Sequence, residues 1–142
     1  MKRHRYCLLL SLAVVFLLSA CRKQEPVLVS AESGQWHLVK WNAAAPRSFD
    51  VYLELLPGGT FNLYQKVSSS GYEHLGGDYV LSEGILNGTY EDGTAWACSY
   101  VCSLSDSDNR LTLISCDQQQ VESVYERTEI PDEVRRGLFD NE

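Results

Sequence analysis

The chain has 142 residues, with 12 Lys and Arg against 19 Asp and Glu, a formal net charge of −7. One domain suits that length, and an acidic balance of this size argues against a nucleic-acid partner, which needs a basic face. Eight Tyr and three Trp favour strands and aromatic-lined surfaces.

Residues 1–20 read as a targeting segment. Lys2, Arg3 and Arg5 form a basic start, residues 8–18 an apolar run broken only by Ser11, and Ser19-Ala20 a pair of small residues. That is the order of a secretory signal peptide, and the run is shorter than the ~20 residues a membrane span needs. Leu18-Ser19-Ala20-Cys21 resembles a bacterial lipobox. The resemblance implies that the Cys21 thiol receives a diacylglyceryl group and that Cys21 becomes the first residue of the mature protein. Residues 1–20 hold three of the 12 basic residues and none of the acidic ones, so the remainder carries nine against 19, about −10. Two or more acyl chains anchor stably where one is marginal, so a membrane partner is expected. Arg22 is not the aspartate associated with inner-membrane retention in enteric bacteria, which by analogy favours the outer membrane. Arg22-Lys23-Gln24-Glu25 is a poor match to the acidic surface-export signal of Bacteroidota, and the periplasmic and surface faces both stay open. Residues 21–33 form the lipid-bearing linker.

From there strand signals repeat at close spacing with turn residues between them. Strands are expected over residues 36–41, 51–56, 60–68, 76–81, 85–91, 95–104, 110–116 and 120–127. The third should place Phe61, Leu63 and Val67 on one face, and the sixth Trp96, Cys98, Tyr100, Cys102 and Leu104. Pro57-Gly58-Gly59 and Asp92-Gly93 are hairpin turns. Eight short strands joined by hairpins imply an all-β, eight-stranded antiparallel up-and-down barrel, because open edges invite aggregation. Such a barrel encloses a lumen filled by side chains or by one small ligand. The tail follows over residues 129–142. Pro131 opens a short helical turn with Asp132 and Glu133 in its first positions, and Arg135, Arg136 and Gly137 close it. Val134 and Leu138 face the barrel.

Over roughly residues 34–131, with the barrel itself at 34–128, the chain resembles a lipocalin-like domain of the short kind common in Bacteroides-type lipoproteins. The carrying residues are Gly34-Gln35-Trp36, matching the lipocalin Gly-x-Trp opening, then Leu53-Glu54-Leu55 with Pro57-Gly58-Gly59-Thr60-Phe61, Gly88-Thr89-Tyr90-Glu91-Asp92-Gly93, and Tyr125-Glu126-Arg127 with Ile130-Pro131. The resemblance implies that Trp36 packs at the closed end of the barrel beneath Arg127, a structural cation–π contact. The second lipocalin motif is not found, and the chain is shorter than a transport lipocalin.

No catalytic constellation emerges, and an enzyme is not expected. His37 sits beside Trp36 and should point outward, His74 falls in a turn region, and Ser and Asp concentrate in turns. The acidic loop at residues 105–109 lacks the Gly and Glu spacing of an EF-hand. Cys98 and Cys102 lie on one strand without a neighbouring His, so no metal is expected, and no cofactor. With Leu104 opposite Leu111, Cys102 faces Leu113 and Cys98 falls opposite Asp117. A bulge near Ser115 would bring Cys98 opposite Cys116, the preferred pair if one disulfide forms. Alternation turns Leu38, Leu53, Leu55, Phe61, Leu63, Tyr79, Tyr90, Trp96, Tyr100, Leu113 and Tyr125 inward. These residues either fill a core or line a pocket in which tyrosine hydroxyls orient an apolar ligand. The expected function is therefore an envelope lipoprotein whose lumen binds a small apolar ligand, with a filled barrel contacting another envelope protein as the alternative.

Overall fold

The computed structural model describes residues 30–68 and 70–137. The signal segment, Cys21 and Leu138 lie outside the described residues. Eight strands form in chain order: β1 (Gly34–Trp41), β2 (Asp50–Leu55), β3 (Thr60–Lys66), β4 (Glu73–Ser82), β5 (Ile85–Tyr90), β6 (Tyr100–Ser105), β7 (Arg110–Ser115) and β8 (Glu122–Arg127). Each pairs antiparallel with the next, and β8 returns to β1, so the sheet is a closed barrel. Closure leaves no free strand edge. The inward residues, including Leu38, Leu53, Leu55, Phe61, Leu86, Leu111 and Leu113, form one buried cluster.

The two ends differ in their connections. At one end, here the base, the hairpins are tight, spanning residues 56–59, 83–84 and 106–109. At the other, the mouth, longer segments at 42–49, 67–72, 91–99 and 116–121 join the strands.

Helix α1 (Asp132–Arg136) follows β8. Its acidic first turn, basic last turn and left-handed Gly137 complement the helix ends. Val134 packs with Ile130, Tyr52 and Tyr64 in a second small cluster on the outside of β2 and β3. This explains why Tyr64, which alternation puts on the outer face, is buried.

The register of β6 on β7 is as the sequence implies, with Leu104 opposite Leu111 and Cys102 opposite Leu113. Several expectations need correction. Residues 95–99 are not strand: only an isolated bridge joins Ala95 to Thr89. The cause is Trp96, whose indole lies against Gly88 while its backbone N–H donates to the Gly88 carbonyl at 2.9 Å. Residues 94–96 run antiparallel beside β5, with the Tyr90 N–H donating to Thr94, and the ladder to β6 resumes only at Tyr100. β4 begins three residues early, so His74 is a strand residue, stacked on Tyr64 and 2.8 Å from the Asn62 side-chain oxygen. Val67 falls beyond the end of β3 and is exposed. The β6–β7 ladder runs without a bulge to Tyr100 and Ser115. The Cys116 N–H then donates to Ser99, not to Cys98. Cys98, Cys102 and Cys116 are free thiols, so the Cys98–Cys116 bond is not formed. An unbroken ladder turns residues one step out of register to opposite faces.

Candidate ligand-binding site

The base of the barrel is sealed. Trp36 is fully buried, and its indole N–H donates to the Glu32 carbonyl at 2.9 Å. The Arg127 guanidinium lies 4.1 Å from the Trp36 ring centroid. Its nitrogens donate to the carbonyls of Ala31, Ser33 and Asp108 at 2.8–3.0 Å. One side chain therefore ties the entry segment, the β6–β7 hairpin and β8 together. Gly34 has φ +144°, and a side chain there would overlap the clamped guanidinium. The glycine of the Gly-x-Trp motif is thus required by both its backbone and its neighbour.

Toward the mouth the interior opens into a cavity of ≈180 Å³ lined by Leu53, Phe61, Leu63, Tyr90, Trp96, Ala97, Tyr100, Leu113, Ser123 and Tyr125. Its aromatic wall is arranged edge to face. Phe61 and Trp96 centroids are 5.0 Å apart at 72°, Phe61 and Tyr90 5.8 Å at 70°, and Trp96 and Tyr100 6.0 Å at 74°. These are favourable aromatic geometries. Burial pushes the Tyr125 hydroxyl up to about 12. Burial first, and then contact with Cys98, raises Tyr100, while burial and the nearby Asp92 raise Tyr90. All three phenols therefore remain O–H groups throughout the neutral range.

Trp96 supplies the distinguishing feature. Its Nε1–H is buried and has no hydrogen-bond partner among the described residues. A buried donor left unmade costs about 1–3 kcal/mol, and such exceptions are rare in folded proteins.

Eight of the eleven lumen residues inferred from alternation reach this cavity: Leu53, Phe61, Leu63, Tyr90, Trp96, Tyr100, Leu113 and Tyr125. The other three pack in the core but lie off the cavity. Leu38 and Leu55 are buried, and Tyr79 donates its hydroxyl to the Leu56 carbonyl at 2.9 Å. Ala97 and Ser123 were missed. Ser123 sits two residues before Tyr125, so period-two counting could have found it. Ala97 lies on the segment that strand periodicity misassigned.

The outer face carries a separate polar network. Glu54 is buried and accepts from Arg135 at 3.0 Å, Asn62 at 2.8 Å and Gln35 at 3.2 Å. Burial pushes its carboxyl up, but these hydrogen bonds and the Arg135 charge outweigh that and hold it below the usual carboxylate range. His37 points outward as the sequence implies, 2.7 Å from Asp50 and stacked on Tyr52. Tyr72 donates to the other Asp50 oxygen. A larger outer depression of ≈440 Å³ near Val39, Lys40, Arg110 and Glu126 contains the exposed Arg110–Glu126 ion pair. Among the described residues no three His, Cys, Asp or Glu side chains converge to hold a metal ion.

Two solved structures share this architecture. A lipocalin-like protein from Bacteroides uniformis superposes with a TM-score of 0.53 at 16% identity, covering 70% of this chain and 100% of its own. The fold is lipocalin-like. A second relative in shape, an uncharacterized protein from Bacteroides eggerthii, gives a TM-score of 0.50 at 15% identity, over 68% of this chain and 98% of its own. No family model and no curated protein matches the sequence. At these identities the likeness establishes the lipocalin-like barrel, and any role in binding must come from the cavity itself.

Proposed function

We propose that this chain is a non-enzymatic ligand-binding protein of the bacterial envelope, anchored through a lipid on Cys21, and that its mouth cavity holds one small molecule. The observation that carries the reading is the ≈180 Å³ cavity walled by Phe61, Trp96 and three tyrosines above a sealed base. The volume sets the scale. A dry cavity of about 150 Å³ accepts benzene, and drug-sized ligands occupy ≈ 300–1,000 Å³, so ≈180 Å³ suits a single small ring rather than a long lipid. The lipocalin-like base supports the same reading by sealing one end and leaving the mouth as the entrance.

Native mass spectrometry of the protein purified from its own envelope source tests this. The expected result is a reproducible added mass that disappears on denaturation. Mass spectrometry of the intact mature chain reads the Cys21 acylation separately.

One observation favours a second reading. On the outer face Ile85 pairs directly with Val101, both are partly exposed, and Val80 is 66% exposed nearby on β4. Exposed apolar groups of this kind fit a contact with another envelope protein. Crosslinking in the envelope, with V101K as the control, distinguishes it: partner capture that depends on Val101, with no bound small molecule, would favour the interaction module.

A further inference from the structure

The hydroxyls on the cavity wall narrow the class of molecule it takes, given the lumen-binding reading above. We propose that the cavity takes an uncharged single-ring compound bearing a hydroxyl group, an aryl alcohol or a phenol, and that the Tyr125 hydroxyl orients it.

Three observations converge. First, no Asp, Glu, Lys, Arg or His lines the cavity. An ionised ligand would lose its hydration without gaining a counter-charge, which is strongly unfavourable. Second, the Tyr90, Ser123 and Tyr125 hydroxyls on the wall have no hydrogen-bond partner among the described residues. Tyr125 is only 8% exposed. Among the described residues the Trp96 indole nitrogen is the one side-chain polar atom both fully enclosed and unpartnered. The Tyr125 hydroxyl therefore keeps an accessible surface, and on an inward residue that surface faces the cavity. A hydroxyl both donates and accepts. Ser123 and Tyr125 occupy successive inward positions of β8, which offers a ligand hydroxyl one group to accept from and one to donate to. A carbonyl can only accept. Third, Phe61, Tyr90, Trp96 and Tyr100 meet edge to face around the cavity. A flat ring continues that packing, whereas a saturated chain makes no such contacts.

Five probes of similar size test the proposal by isothermal titration calorimetry on the purified protein: α-methylbenzyl alcohol, acetophenone, cumene, benzoate and benzylammonium. The first three share one skeleton and differ in carrying a hydroxyl, a carbonyl or neither. The alcohol should bind at least about threefold tighter than the ketone, because it makes one more hydrogen bond, and tighter than either ion. In Y125F, which keeps the ring and removes the hydroxyl, affinity for the alcohol should fall at least about fivefold. Affinity for cumene should stay within about twofold, which shows that the cavity is intact. A ketone that binds as tightly as the alcohol, tighter binding of either ion, or an affinity for the alcohol that Y125F changes no more than that for cumene would overturn the ligand class while leaving lumen binding in place. Failure of all five probes to bind at concentrations up to about millimolar would overturn both this inference and the lumen reading.

Discussion

Two indoles, Trp36 fully buried and Trp96 partly buried, stand at opposite ends of the barrel and have been given opposite treatment. Trp36 at the base has its N–H bonded to a carbonyl and a guanidinium lying over its ring. Trp96 at the mouth has its N–H buried and unpartnered, its face against Gly88, and a cavity beside it. The same side chain is therefore a structural plug in one place and part of a cavity wall in the other. The difference locates function: one indole is bonded into the sealed base, whereas the other lines the space that a ligand can enter.

Substitutions can break this contrast from either side. The largest effect belongs to the base. W36A removes a fully buried ring and should lower unfolding free energy by about 3–5 kcal/mol, read from urea midpoints. G88A comes next. A methyl at Gly88 would overlap the Trp96 ring, so the indole must leave its seat, at a cost of about 1–3 kcal/mol. Ligand binding should be lost with it. R127A should cost about 1–2 kcal/mol, because the guanidinium is partly solvated and its carbonyl partners can rebind water. It should leave the mouth and its affinity unchanged.

The buried Glu54–Arg135 pair sharpens the picture through pH. The Glu54 carboxyl is lowered in the folded state relative to the ordinary 4.5. Its contribution is therefore fully present above that value and is lost as pH falls through the lower folded value. Thermal melts between pH 5 and pH 3 should show wild type losing more stability than E54Q, which has no carboxyl to protonate. The smallest stability effect is expected for W96F. It trims a partly buried indole to a single ring, which should cost about 1 kcal/mol, and it should weaken ligand binding by reshaping the cavity wall.

Much of the barrel was legible from sequence. Alternation exposed all eight strands, and the inward faces of β2, β7 and β8 followed directly, because a strand with one buried side shows its period. Leu53, Leu113 and Tyr125 are such cases. What alternation could not show was where a tertiary contact overrides it. Trp96 to Cys98 alternate like a strand, yet with the Trp96 indole seated on Gly88 the ladder is interrupted until Tyr100. The outer surface was also obscure. Tyr64 and Glu54 look solvent-facing in sequence, and only the docking of α1 buries them. The orphaned N–H is likewise a property of three-dimensional surroundings: Trp36 and Trp96 are the same letter.

The most direct test of the account follows both indoles at once. In a ¹H–¹⁵N correlation spectrum the three tryptophans give three indole N–H signals, and W96F identifies that of Trp96. Titration with the small molecule recovered from the native protein should shift the Trp96 signal, because that ring lines the cavity, and leave the Trp36 signal in place. A Trp96 signal that stays fixed while the ligand binds, or a shift confined to Trp36, would contradict the assignment of the mouth as the binding site.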